Sequence, residues 1–243
     1  GYTGRLYLVI DDEDKTADQY RARYGDKVLQ FSKAEIEKRI DPGNNFGDRR
    51  TILHARNACF DLAKQVGVKY FMELDDDYQG FELTYSSCGK YIYKRTTRMN
   101  DVLSAMLDFF IGTKTTSFAM AQGGDFIGGG KASLTLRRKC MNSFICSVDR
   151  PFQWRSTFNE DVATYTMLGR QGHLFFTTTH MKLVQLMTQS NAGGITELYQ
   201  RFGTYTKAMS TVMYCPSSVQ VSTLGDHRSP HYRIHHKINW NRT

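Results

Sequence analysis

An apolar run that discharges into three consecutive aspartates constrains this chain more than any other feature: VKYFMEL, residues 68–74, is followed directly by Asp75, Asp76 and Asp77. Seven residues rich in aromatic and aliphatic side chains read as a buried strand. Adjacent carboxylates repel one another, so gathering three at a rigid strand end is unfavourable unless a cation or hydrogen-bond donors compensate. Asp75 and Asp77, at alternate positions, offer hard oxygen ligands suited to Mg2+ or Mn2+, with coordination positions left over for a diphosphate. A solvated acidic turn is the plainer alternative.

The flanking pattern assigns a fold class. RLYLVI reads as a first strand that delivers Asp11, Asp12, Glu13 and Asp14 to a sheet edge. From Asp48 onward, Ile52, Ala55, Cys59, Leu62, Ala63 and Val66 recur at helical spacing, and Gly67 supplies a stop. Strand, helix, strand and acidic turn together indicate an α/β protein. Between Phe81 and Arg98 the periodicity weakens, which suggests an excursion from the core; Lys90, Lys94, Arg95 and Arg98 interleave there with Tyr85, Tyr91 and Tyr93. Met99 to Phe110 predicts an amphipathic helix closed by Gly112. The glycine-rich FAMAQGGDFIGGGKASL follows, then a helix opened by Asn159-Glu160-Asp161 and ended by Gly169, a strand in HLFFTTT, and a helix over Ile195 to Phe202. VMYCPSSVQVST suggests a strand pair or an edge strand, because Pro216 cannot donate to a ladder. The tail from Gly225 carries His, Arg and aromatics without apolar periodicity. With no internal repeat and no low-complexity linker, residues 1–243 are expected to form a single domain.

Composition narrows the function classes. At 40% apolar residues the chain can bury a sizeable core, which excludes disorder as its description. Lys plus Arg number 32 against 24 Asp plus Glu, a formal charge of +8 that favours a polyanionic partner. The five cysteines are scattered without a CxxC pair, which argues against a disulfide framework or a structural zinc site. No run approaches the ~18 to 20 apolar residues of a membrane span, and the opening Gly-Tyr-Thr-Gly-Arg has no signal-peptide character, so a soluble intracellular protein without membrane contact is expected.

LDDD after an apolar strand resembles the DxD motif of GT-A glycosyltransferases, and the ordered set ARN, LDDD, GGDFIGG, FNED and RIHHKINW resembles the TET/JBP-associated glycosyltransferase family, which includes DNA-base glycosyltransferases of the base J and bacteriophage type. The likeness spans nearly the whole chain. It implies a GT-A-like three-layer α/β/α sandwich with a mostly parallel central sheet. It also implies Asp75 and Asp77 as the metal pair, with Asp76 toward the sugar or ribose, although the triple Asp leaves the register open by one residue. One of His235 and His236 would complete the metal shell, and Lys237 would neutralise diphosphate oxygens. A carboxylate of Asp11 or Asp12 would accept a uracil N–H, or else cap the following helix. Arg56 and Asn57 would reach a pyrophosphate or ribose, or Arg56 would form a plain salt bridge.

The same resemblance places Asp161, or alternatively Glu160, beneath the acceptor hydroxyl as a base, although carboxylates in a first helical turn also suit the helix dipole. Gly123 and Gly124 would let the backbone approach the sugar, with Asp125 bonding its hydroxyls. Trp154 and Arg155 would grip an acceptor base, or Trp154 would belong to the core. The stretch from Tyr85 to Arg98, with Lys131, Arg137, Arg138 and Lys139, would contact DNA phosphates, unless these are merely solvated faces. The implied activity is transfer of a hexose from a UDP-sugar, UDP-glucose being favoured, to the hydroxymethyl group of 5-hydroxymethylcytosine or 5-hydroxymethyluracil in DNA, with Mn2+ or Mg2+ as cofactor. The base would be flipped out or reached through the major groove. A cytoplasmic location follows, in the host if phage-encoded, or a nuclear one in a eukaryote. Two rivals stand beside this reading: a two-metal nuclease or nucleotidyltransferase built on Asp75, Asp77 and Glu160, and a non-catalytic DNA-binding module.

Overall fold

The computed structural model describes residues 1–43, 47, 49–126, 138–185, 195–203, 205–225, 227–228 and 232–243, with the side chains of residues 196 and 200 left aside. The expectations that fall on Asp48, Lys131, Arg137 and residues 127–130 lie outside the described residues.

Strand β1 (Leu8–Asp11) leads into helix α1 (Ala17–Tyr24) and returns as β2 (Val28–Phe31), parallel to β1 in a two-stranded sheet of its own. Helix α2 (Lys33–Glu37) and helix α3 (Leu53–Gln65) precede β3 (Tyr70–Leu74). Then come β4 (Tyr78–Ser87), β5 (Lys90–Arg95), α4 (Met99–Thr113), β6 (Ser117–Ala121), β7 (Ser143–Ser147), α5 (Glu160–Gly169) and β8 (Phe175–Gln185). Helices α6 (Ile195–Phe202) and α7 (Tyr205–Tyr214) and the antiparallel pair β9 (Val219–Leu224) and β10 (Arg233–Ile238) complete the order.

The six-stranded sheet runs β3-β7-β6-β8-β4-β5. Alternation along each strand divides its side chains between two cores. Phe71, Ala119, Phe144 and Cys146 face Leu53 and Phe60 of α3 and Val162 and Tyr165 of α5. Tyr70, Met72, Leu74, Phe118, Met120, Ile145, Met181 and Leu183 face Met99, Met106 and Phe110 of α4. Helices therefore cover both faces, as an α/β/α sandwich requires, and α3 also packs Ala58 and Leu62 against Val9, Leu29 and Phe31 of the small sheet. No helix among the described residues is long and apolar enough to cross a membrane.

The expected mostly parallel sheet is corrected. Within the six-stranded sheet of the described residues only β6–β8 is parallel; β3–β7, β6–β7, β4–β8 and β4–β5 are antiparallel. The physical reason is that β7 inserts between β3 and β6 running against both, while β4 and β5 form a hairpin that extends the sheet. Residues 81–98 are thus sheet rather than an excursion, and their weak periodicity reflects a hairpin at the sheet margin whose Tyr85 and Tyr93 are exposed. Helix α4 runs through Gly112 and ends where Lys114 turns left-handed, at φ 52°. The VMY of VMYCPSSVQVST belongs to α7, and the tail holds β10, whose pairing with β9 supplies the order its composition lacks.

His54, in the first turn of α3, is almost fully buried, and neither ring nitrogen has a hydrogen-bond partner. Burial pushes its imidazole below the ordinary value of 6.5; Lys33 and Arg49 add to this while Glu37 and Glu13 oppose it. An unfolded chain therefore takes up a proton that the folded one refuses, so stability present above about pH 6.5 is lost as the pH falls below it. Urea unfolding at pH 7.5 and 5.5 should show a smaller acid loss in His54→Leu than in the wild type. An equal loss in both would remove His54 as a cause.

Candidate active site

The C-terminal ends of β3, β6 and β8 and the first turns of α3 and α5 meet at one margin of the sheet. Asp75, Asp76 and Asp77 form the turn between β3 and β4, with Asp75 and Asp77 half-buried and Asp76 exposed. The pleat of β3 thus carries past its last residue and selects the odd pair as inward-facing. Asp77 Oδ1 accepts from Gln185 Nε2 at 2.8 Å. Gln185 Oε1 in turn accepts from Gln122 Nε2 at 2.5 Å and Asn142 Nδ2 at 2.8 Å. One glutamine at the end of β8 therefore ties the aspartate turn to the residues just after β6 and just before β7.

Beneath the turn lies Arg56, 3% exposed. Its Nη2 donates to Asp75 Oδ1 at 3.0 Å, its Nε lies 3.3 Å from Glu160 Oε1, and its guanidinium sits over the rings of Phe144 and Trp154. Burial works against its charge, but Asp75, Glu160, Glu73 and Asp161 outweigh that and hold the pKa above the ordinary value. Burial raises all three nearest carboxyls. Glu73 is pushed up to about 8 despite Arg56 and the Trp154 indole, and neither of its oxygens closes a full hydrogen bond. Glu160 is pushed up to about 7 against the pull of Arg56. Asp75 rises through burial, with Asp77, Asp161 and Asp76 adding to the shift. At neutral pH Glu73 therefore keeps its proton, which relieves part of the repulsion.

A basic corner adjoins this acidic centre. Asn159, in the left-handed conformation at φ 59°, turns the chain into α5. Its amide lies 3.4 Å from Nδ1 of the buried His236 and donates to Thr211 Oγ1 at 2.7 Å. The Nζ of Lys139 lies 3.3 Å from Nε2 of His236. An ammonium can only donate, so Nε2 accepts and the ring is neutral; burial, Lys139, His235 and Lys207 push His236 down to about 3, and burial with Lys139 and Arg233 takes His235 to about 4. Burial also lowers Lys139, which Asp161 opposes and Lys207 reinforces. Asp161, itself buried, accepts the Val162 backbone N–H at 2.7 Å. It lies within electrostatic reach of both Arg56 and Lys139.

The remaining expected site residues divide. Asp125 Oδ2 accepts the Gln122 backbone N–H at 2.9 Å, Arg138 lies 3.7 Å from its Oδ1, and burial raises its pKa. Gly123 and Gly124 are exposed, and added Cβ atoms would meet nothing within 4 Å among the described residues. Tyr91 and Tyr93 of β5 touch Phe126 at ring separations of 4.8 and 5.5 Å, which sets the basic hairpin beside the same turn.

Other residues have different tasks. Asn57 donates to the Leu53 and Trp154 carbonyls and accepts the Trp154 N–H, so its amide holds the chain rather than facing a ligand. Arg56 is the buried hub described above, not an arm toward solvent. Asp11 pairs with Lys33 at 3.0 Å, and Asp12 accepts the Lys33 N–H at 3.0 Å, which caps α2 rather than α1. The Ser32 hydroxyl and that N–H hold Asp12 below its ordinary value. Trp154 is fully buried in the core. Lys139 is half-buried beside His236, and Lys237, exposed, alternates with His236 on the opposite side of β10.

No three His, Cys, Asp or Glu side chains converge into a metal-holding set among the described residues, so His235 and His236 do not join Asp75 and Asp77 in one. The aspartate pair by itself still suits a divalent cation, because burial raises Asp75 and the charges of Asp77, Asp161 and Asp76 add to the shift, and such an ion relieves that added negative charge. Glu73, Gln185 and Lys139 escaped the sequence-based site. Glu73 had a signal, being the one charge in an otherwise apolar strand; Gln185 had none.

A family model described as TET-Associated Glycosyltransferase matches residues 1–194. The match ends before α6, so His235, His236 and Lys237 lie beyond it. No curated protein and no solved structure matches the chain.

Removing the central cation leaves buried carboxylates without compensation. Arg56→Met should cost about 3 to 5 kcal/mol in urea unfolding, and Glu160→Gln added to it should recover part of that loss. Equal and additive losses would mean that the two groups are not coupled.

Proposed function

The chain belongs to the TET-associated glycosyltransferase family, and from that premise we propose that it transfers a hexose from a UDP-sugar to the hydroxymethyl group of a modified pyrimidine in DNA. The observation that carries the reading is the meeting of the aspartate turn, the Gly123–Phe126 turn and the Glu160-Asp161 helix start at one margin of the sheet.

In this reading Asp161 takes the proton of the acceptor hydroxyl as its oxygen attacks the anomeric carbon. The bond from that carbon to the diphosphate breaks, and its electron pair leaves with the nucleoside diphosphate. Asp161 suits this better than Glu160, whose carboxylate is spent on Arg56. Asp75 and Asp77 would hold Mn2+ or Mg2+, which supplies positive charge for the diphosphate. Gln185 keeps Asp77 turned inward, and Asp125 at the glycine turn offers a partner for sugar hydroxyls. The hairpin of β4 and β5 presents Lys90, Lys94, Arg95, Tyr85 and Tyr93 to solvent, a surface suited to a phosphate backbone and to stacking on bases. The nuclease alternative is disfavoured because its third carboxylate, Glu160, is paired with Arg56.

Nucleoside mass spectrometry of DNA incubated with the protein, Mn2+ and UDP-glucose should reveal a hexosylated base on hydroxymethylcytosine or hydroxymethyluracil substrate. Asp77→Ala should reduce transfer by about 100-fold or more while leaving the circular dichroism spectrum intact. Undiminished transfer in that variant would overturn the role of the pair, and shortened DNA would favour the nuclease.

A further inference from the structure

Lys139 stands where three motifs meet. Its neighbour Arg138 donates to the Asp125 carbonyl of the glycine turn, its own carbonyl accepts from Thr177 of β8, and its ammonium rests on His236. Among the described residues Lys139 forms no ion pair with a carboxylate. Its one polar partner is a neutral imidazole in a corner that also holds Lys207 and His235. Interior ammonium groups are ordinarily matched by an anion or by several acceptors. Lys139, half-buried, touches neither among the described residues, although Asp161 and Asp125 favour its charge from farther off, and the lone pair of His236 that a metal would need is occupied by it.

We infer that Lys139, held against His236, is a seat for the diphosphate of the nucleotide sugar. The observations point to an anion of phosphate type, and the glycosyl-transfer reading identifies it as a diphosphate. The position fits: Arg138, the preceding residue, bonds the Asp125 carbonyl, so an anion on Lys139 would lie beside the glycine turn proposed to meet the sugar hydroxyls. Lys237, the residue the sequence favours for this task, projects to the opposite side of β10.

The test uses inorganic pyrophosphate in buffer containing a chelator, with isothermal titration and thermal unfolding on the full chain. The wild type should bind pyrophosphate without metal. Lys139→Met should weaken binding at least tenfold, Lys139→Arg should retain most of it, and Lys237→Met should bind as the wild type does. Without ligand, Lys139→Met should melt no lower than the wild type, whereas a purely structural lysine would lower the midpoint on removal. Wild-type failure to bind, or equal binding by Lys139→Met, would overturn the proposal. A Lys139→Met variant that loses affinity for a short unmodified DNA duplex but keeps pyrophosphate binding would overturn it as well, by assigning the seat to backbone phosphate. Pyrophosphate binding that depends on Lys139 in a protein that moves no sugar would leave the anion seat standing and sink only the glycosyl-transfer reading.

Discussion

One buried guanidinium organises the centre of this protein. Arg56 reaches Asp75 and Glu160 from a helix packed on the sheet, with its face against Phe144 and Trp154. A cation enclosed this fully is tolerable only with opposite charge around it, and carboxylates gathered this closely are tolerable only with a cation among them. Each side of the arrangement is the condition for the other. It joins the first turn of α3 to the turn after β3 and to the first turn of α5, three segments far apart in sequence. Glu73, which burial pushes up to about 8, limits the negative charge that the single guanidinium faces.

The site divides by sign. Toward β3 lies the acidic half, with Asp75 and Asp77 held inward by Arg56 and Gln185. Toward β10 lies the basic half, with Lys139, Lys207 and neutral histidines. Asp161 feels both. Such a division suits a donor whose diphosphate needs positive charge and whose transfer needs a proton acceptor close by. The exposed turn at Gly123 and Gly124, with the aromatic and basic hairpin at its flank, suits a large polyanionic acceptor.

Much of this was legible along the chain because strand and helix periods are local properties. VKYFMEL running into aspartates announced β3 and its acidic turn, and Ile52 to Val66 announced α3. Strand direction was not legible. β7, whose SFICS is too short and too evenly apolar to stand out, inserts antiparallel between β3 and β6, and no feature of its own residues says so. Lone polar residues failed in the same manner. Asn57 looks equipped for a ligand, yet its amide closes on the Trp154 backbone 97 residues away.

The sequence by itself determined that this is an α/β chain with an acidic strand end, a glycine-rich turn, an acidic helix start and a basic, tyrosine-bearing stretch, because each rests on neighbours in the chain and on local period. Only the tertiary structure decided what those groups do to one another. Arg56 became a hub instead of a ligand arm, Glu73 a neutral acid, His236 the support of a lysine, and Gln185 the brace of Asp77. The physical reason is that charge state and hydrogen bonding depend on burial and on partners brought together across the fold, and neither is a property of a residue's position in the chain.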